Sequence, residues 1–252
     1  MGQVRSRPAG GRVPGESENA GPRRRIQVTP PRRDESPGAT PGESALMARV
    51  RERCHAHLAE ACRYSSVAAE FLAALVANES GANPRAQRFE PAVYGHLAAI
   101  AAGRAGKYGS LTLPRLDAEL AEMLHPKSDA YHAAQLDAAF AATHAAEIAV
   151  ARDEALRELA TSWGYTQIMG YHMVGRAGTA RDLLEPRFHF HIALELLAEF
   201  TQRYQLDARR EFAELFRCWN TGQPYGATTD PAYVEKGLRR MEIYRGSESL
   251  MQ

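Results

Sequence analysis

From Ala45 onward, apolar residues recur at intervals of three and four through a stretch rich in Ala, Leu and Glu, the mark of amphipathic helices that share a core. No segment shows the period-two alternation of a half-buried strand convincingly, and only 86–89, leading to Glu90, reads as a short extended piece. The expected fold is therefore mainly α, with little or no sheet. Helices are expected over 45–63, 66–79, 92–103, 115–124, 130–146, 148–161, 188–204, 207–218 and 231–245. End signals support several of them. Asp230 and Pro231 supply an N-cap and a first-turn proline, Pro114 does the same ahead of Arg115, and Gly164 is placed to stop the helix ending near Ser162. The Ala-rich stretch 131–151 is expected to form a helical hairpin.

The first 44 residues are of another kind. They hold 7 of the 14 prolines, 7 of the 20 glycines and 8 arginines, with almost no aliphatic or aromatic side chains. Such a segment buries too little apolar surface to offset its ordering entropy, so 1–44 is read as a disordered tail and 45–252 as the folded domain. Eight Arg against five Asp plus Glu give the tail about +3, and the total of +1 leaves the rest near −2. Neither value suits a nucleic-acid partner, and the runs Arg23–Arg25 and Arg32–Arg33 are read as solvating charges.

Downstream of Met1 there is no apolar run of the roughly 7–15 residues that a secretory signal needs, and nowhere one of about 18 for a membrane span. The chain is expected to be soluble and made in the cytoplasm. Three cysteines do not make a disulfide framework and fit a reducing compartment. Cys54, His57 and Cys62 recur at helical spacing, but Cys54 and Cys62 lie two turns apart and close a tetrahedral site poorly with His57. They are read as packing residues, with neither metal nor cofactor expected.

Three separated blocks carry chemistry. In Asn78-Glu79-Ser80-Gly81-Ala82-Asn83-Pro84, a glutamate closes an apolar helix beside a turn, a good place for a general acid in a cleft. Cleaving a glycosidic bond needs a carboxyl still protonated near neutral pH, and Leu75 and Val76 are apolar neighbours that disfavour the charged form. Ser162-Trp163-Gly164-Tyr165-Thr166-Gln167-Ile168-Met169-Gly170 combines two glycines that let backbone approach a ligand, aromatics able to face sugar rings, and an amide able to bond an acetamido group. In Cys218-Trp219-Asn220-Thr221-Gly222, Asn220 follows a helix and Trp219 supplies an apolar wall, with Tyr225 and Tyr233 as nearby hydroxyls. Each block taken alone also has a plain reading: a surface glutamate, a helix-connecting loop, an Asn-x-Gly turn.

Together the blocks resemble the lysozyme superfamily, specifically the soluble lytic transglycosylase domain and related bacterial and phage N-acetylmuramidases. There a Glu-Ser pair, a Gly-Leu-Met-Gln loop and an aromatic-Asn-x-Gly segment line the peptidoglycan groove. The resemblance covers roughly 65–245 and implies a lysozyme-like helical domain acting on the cell wall. It makes Glu79 the catalytic acid and Ser80 its neighbour, puts Gln167, Met169 and Tyr165 in the substrate loop, and makes Asn220 the final sugar contact. Arg88-Phe89-Glu90-Pro91 is similar to an Arg-Tyr-Glu-Pro element in one branch and to a Phe-Glu element in the muramidase branch. Thr166 stands where the family usually has Met, Trp219 where it has Tyr, and the spacing from Glu79 to the glutamine loop is longer than in compact transglycosylases. The excess falls at about 92–150, which is expected to enlarge the groove or cover one end of it.

The implied substrate is the glycan strand of peptidoglycan. A lytic transglycosylase needs one carboxyl, acting first as acid and then as base to give a 1,6-anhydro end. A muramidase needs a second carboxylate to activate water, roughly 6.5–9.5 Å away in the inverting mode, and Glu90 is the candidate, although it equally suits anchoring a nearby Arg. A non-catalytic glycan-binding or assembly protein is the third possibility.

Overall fold

The computed structural model describes residues 40–124 and 138–248, and the chain is mainly helical. In chain order the elements are α1 (Pro41–Cys62), α2 (Ala69–Glu79), β1 (Gln87–Phe89), α3 (Pro91–Ala101), β2 (Lys107–Tyr108), β3 (Leu111–Thr112), α4 (Leu113–Leu124), α5 (Ala138–Thr143), α6 (Ala145–Leu159), β4 (Thr161–Trp163), β5 (Ile168–Met169), α7 (Pro186–Tyr204), α8 (Phe212–Thr221) and α9 (Tyr233–Glu248). Two 3₁₀ turns, Gly170–Met173 and Ala180–Leu184, link β5 to α7. Residues 130–137 of the helix expected over 130–146, and the start of the expected hairpin, lie outside the described residues.

α2 is the centre of the domain. Phe71 through Ala77 are seven consecutive buried residues, apolar all round rather than on one stripe, so this helix needs partners on every side. It packs most extensively on α9 and α1. α1 contributes Met47, Val50, Cys54 and Leu58, one row at helical spacing, and Phe190, Leu215, Phe216 and Met241 complete the same core. A second cluster joins Leu97 and Ile100 of α3, Leu116, Leu120 and Leu124 of α4, and Leu156 and Leu159 of α6. A third, around Trp163, Ile168, Met173, Ile192 and Leu196, lies where β4 and β5 meet α7.

The first helix starts at Pro41, not Ala45: Thr40 Oγ1 accepts from Glu43 N at 3.3 Å, and Pro41 takes the first turn, where a missing N–H costs nothing. The first turn of this helix and its cap therefore fall within the segment assigned to the tail. The sheet content is also more defined than expected. β1, β4 and β5 form an antiparallel three-stranded sheet with Arg88 opposite Ser162 and Ser162 opposite Met169, and β2 and β3 form a small hairpin. The helix expected to reach 161 ends at Leu159, because 161–163 is drawn into the sheet.

Candidate functional site

Glu79 is the last residue of α2, and Ser80 caps the helix with its N–H on Val76 O at 3.1 Å. Gly81 and Ala82 then both take positive φ, +60° and +68°, which turns the chain sharply away from the helix. Burial raises the Glu79 carboxyl above its ordinary value of 4.5, only partly opposed by the Tyr233 hydroxyl that donates to it and by the charge of Arg88. Tyr233 is held in turn: Asn78 Nδ2 donates to its carbonyl at 3.1 Å, and Arg240 Nη1 fixes the Asn78 amide at 2.5 Å. Enclosure and the neighbouring carboxylate push the Tyr233 phenol well above 10, so it stays a donor.

The Ser80 hydroxyl is engaged within the fold. Its Oγ donates to Tyr165 O at 2.7 Å and so ties the helix exit to the loop joining β4 and β5. That loop is braced from within. Gly164 sits at φ +71°, and a Cβ there would lie 2.5 Å from Leu183 O and 2.7 Å from His189 Nδ1, so the glycine serves an internal close approach rather than access for a ligand. Gly170 likewise abuts Glu158 O. Gln167, at φ +55°, spends its side chain inside the loop: Nε2 donates to Ala86 O at 3.1 Å and Gly164 O at 3.0 Å, and Oε1 accepts from Ser162 Oγ at 2.8 Å. It is therefore a brace across the three-stranded sheet, with little capacity left for an acetamido group. Tyr165 is buried and stacks on Phe190 with centroids 5.4 Å apart, so its ring belongs to the core and not to a sugar subsite.

His189 underpins the same loop. Nδ1 donates to Leu183 O at 2.9 Å, leaving Nε2 to accept from Thr166 N at 2.9 Å and to meet Thr166 Oγ1 at 2.8 Å. Burial pushes its pKa down to about 4, in keeping with this neutral tautomer. Neither His189 nor Tyr233 as the partner of Glu79 was singled out by motif reasoning. A His two residues after the Pro-Arg opening of α7 carries no local signal of the loop it supports.

A cavity of about 740 Å³ opens beside this loop. It brings together Gln167, Met169, Trp219 and Asn220 from the second and third blocks, with Tyr108 and Ser110 also in its lining. Trp219 Nε1 bonds Thr166 O at 3.0 Å, which locks its ring as a wall, while Asn220 is exposed and Gly222 ends α8 at φ +79°. Tyr108 and Ser110 belong to the β2–β3 hairpin, so the lengthened segment does form part of the cavity wall. Glu79 is not among the residues that line this cavity.

Glu90 occupies the N-cap position of α3, with its N–H on Ala160 O at 2.9 Å and its carboxylate paired to Arg88 Nε at 2.5 Å. Tyr225 is exposed. Burial raises the Cys54 and Cys62 thiols to about 11, so both are neutral packing groups. Among the described residues no group of three or more His, Cys, Asp or Glu is arranged to hold a metal ion, and no helix is long and apolar enough to cross a membrane. No protein-family model, curated protein or solved structure matches the chain.

Proposed function

We propose that the chain is a peptidoglycan lytic transglycosylase of lysozyme-like fold, acting at the cell wall on the bond between N-acetylmuramic acid and N-acetylglucosamine. The observation that carries this reading is the state of Glu79: a carboxyl at the end of a helix that is buried from Phe71 to Ala77, raised by burial and held by one phenolic donor. Such a group keeps its proton closer to neutral pH than an exposed glutamate and is aimed by its partner. In the reaction it gives that proton to the departing glycosidic oxygen. The resulting carboxylate then takes the proton of the muramic acid 6-hydroxyl as O6 closes on C1, which yields the 1,6-anhydro end and returns Glu79 to its acid form. The Tyr233 hydroxyl stabilises the carboxylate between the two steps.

Glu90 is the second carboxylate of the hydrolytic alternative. Arg88 pairs with Glu90 and also acts electrostatically on Glu79, which puts both carboxyls near one guanidinium and keeps the muramidase reading in view. The pairing itself favours an anchoring role for Glu90, since a carboxylate held by arginine is a weaker base for water.

The test is digestion of purified sacculi followed by mass spectrometry. Anhydro ends are expected, with Glu79→Gln lowering the rate by about 10²–10⁴-fold. Products with hydrated reducing ends move the reading to a muramidase. Undiminished activity in Glu79→Gln overturns the role of Glu79, and glycan binding without cleavage by the native protein leaves a binding or assembly protein.

A further inference from the structure

Asn78 is the first polar side chain in α2 after seven consecutive buried residues, Phe71 to Ala77, and it stands directly before Glu79. Asparagine is a weak helix former, because its side chain competes for nearby backbone groups, so its place in the last turn of α2 is explained by what the amide reaches. It reaches α9. Nδ2 donates to Tyr233 O at 3.1 Å, and Oδ1 accepts from Arg240 Nη1 at 2.5 Å. Tyr233 and Arg240 are two turns apart on one face of that helix, so a single amide ties the end of α2 to two turns of α9.

Two adjacent residues of α2 thus grip one residue of α9 at both ends: Asn78 holds the main chain of Tyr233, and Glu79 receives its hydroxyl. The phenol is rigid between those points, so the seat of the first turn of α9 decides how the donor meets the carboxyl. Arg240 sets the direction of the amide. A guanidinium has donors only, so it takes the amide oxygen and leaves the NH₂ to face the Tyr233 carbonyl. Its side chain is only 14% exposed, stands 3.7 Å from Glu43, and has no hydrogen-bond partner at Nε among the described residues; its short bond is the one to Asn78. Glu43 takes its two-point fork from Arg239 instead. Arg240 is therefore better placed to orient Asn78 than to pair with a carboxylate.

Resting on the reading of Glu79 as the acid, we propose that Asn78 is a positioning residue: oriented by Arg240, it fixes the first turn of α9 and with it the Tyr233 hydroxyl against the carboxyl. Burial raises the Glu79 carboxyl, and the groups opposing it are the hydroxyl of Tyr233 from α9 and the charge of Arg88 from β1. At the far end of the relay, Arg240 faces Glu43 of α1, Arg239 of its own helix, and Asp230 just ahead of it, which pairs with Lys236. Loosening Asn78 weakens the contribution of the hydroxyl and lets the Glu79 pKa rise further. α9 itself stays docked, because Gly237 packs directly on the Phe216 ring and Met241 and Tyr244 are buried in the main core.

The Glu79 pKa is read by carbon-13 NMR on the full chain labelled at glutamate carboxyls, with Glu79→Gln identifying the resonance. Asn78→Leu, close in volume and without a change of charge, is expected to raise that pKa toward the value reached by Tyr233→Phe, and to add nothing in the Tyr233→Phe background. Arg240→Ala is expected to shift it in the same direction and Arg240→Lys to recover part of the shift; this pair carries the same cycle should Asn78→Leu not fold. A folded variant with no shift, or an equal shift in both backgrounds, overturns the proposal. The cleavage assay keeps the two readings apart. On its acid plateau, where the carboxyl is protonated in both proteins, Asn78→Leu is expected to lower kcat about tenfold with KM little changed, since the loss is one of aim and not of binding. Sacculi left uncut by the native protein remove the transglycosylase, while a shift that vanishes in the Tyr233→Phe background still upholds the relay. Sacculi cut at the same kcat by native protein and Asn78→Leu overturn the positioning role and leave Glu79 its own.

Discussion

Burial of the Glu79 carboxyl has a consequence for stability as well as for chemistry. Its pKa is raised on folding, so the favourable contribution of the protonated form is complete below the ordinary value of 4.5 and is lost as pH rises through the higher folded value. At neutral pH the native state therefore carries a destabilising charge. Glu79→Gln removes that charge, and the amide oxygen can still accept from the Tyr233 hydroxyl. The variant is expected to melt above the native protein at pH 7, with the difference shrinking toward pH 4. Calorimetric scans across that range check it, and a variant less stable at pH 7 would show that the carboxylate is better solvated than the structure has it. The position of Glu79 was legible in the chain, because an apolar run followed by Ser, Gly and Pro marks a helix exit. Its partner was not, since Tyr233 lies 154 residues away and nothing local distinguishes it from Tyr225, which is exposed.

At the scale of elements, the longer amphipathic helices were legible because they repeat an apolar pattern over several turns, as the Leu116, Leu120 and Leu124 row of α4 does. Of the sheet only β1 was, within the extended piece read at 86–89, because β4 and β5 are three and two residues long, too short to establish a period. For the same reason Gly164 reads from sequence as a helix stop when it is the tight point of a hairpin. The blocks around Gln167 and Asn220 do meet at one cavity, yet the side-chain roles inside the loop followed from contacts with Ala86 and Ser162 that spacing does not encode. The loop depends on a neutral His189. A histidine whose folded pKa falls from 6.5 to about 4 contributes stability that is present above pH 6.5 and is lost as pH drops through that window, because protonation replaces the acceptor of the Thr166 N–H with a donor. His172 is depressed to about 4 as well, so His189→Gln is expected to flatten only part of the decline between pH 6.5 and 4. At pH 7 the same substitution costs about 1–3 kcal/mol through buried bonding groups left imperfectly matched. Urea midpoints measured across the pH range test both; an unchanged acid slope would mean that His189 does not titrate there.

The whole domain is closed by a chain of polar contacts that runs from its first turn to its candidate acid. Glu43, in the first turn of α1, receives a two-point fork from Arg239, Nε to Oε2 and Nη2 to Oε1, each at 2.8 Å. The pairing with Arg239 holds the Glu43 carboxyl below its ordinary value despite burial. Arg240 approaches the same carboxylate at 3.7 Å and fixes the Asn78 amide, whose other end holds the Tyr233 carbonyl, whose hydroxyl meets Glu79. The N-terminal boundary is therefore not a matter of tidy trimming. A chain beginning at Gly38 keeps the Thr40 cap and Glu43, whereas one beginning at Ala45 loses both and leaves the mostly buried Arg239 and Arg240 without their shared counter-charge. The shorter chain is expected to be less stable by about 2–4 kcal/mol, on the scale of a broken, largely buried ion pair and a lost cap. Urea denaturation of the two truncations measures the difference. Glu43→Gln in the longer chain separates the charge from the helix cap: it should reproduce most of the loss near neutral pH and little of it once pH falls below the native carboxyl's depressed value, where that carboxyl too is uncharged. Equal stability of the two truncations would show that α9 holds Tyr233 in place without any help from the first turn.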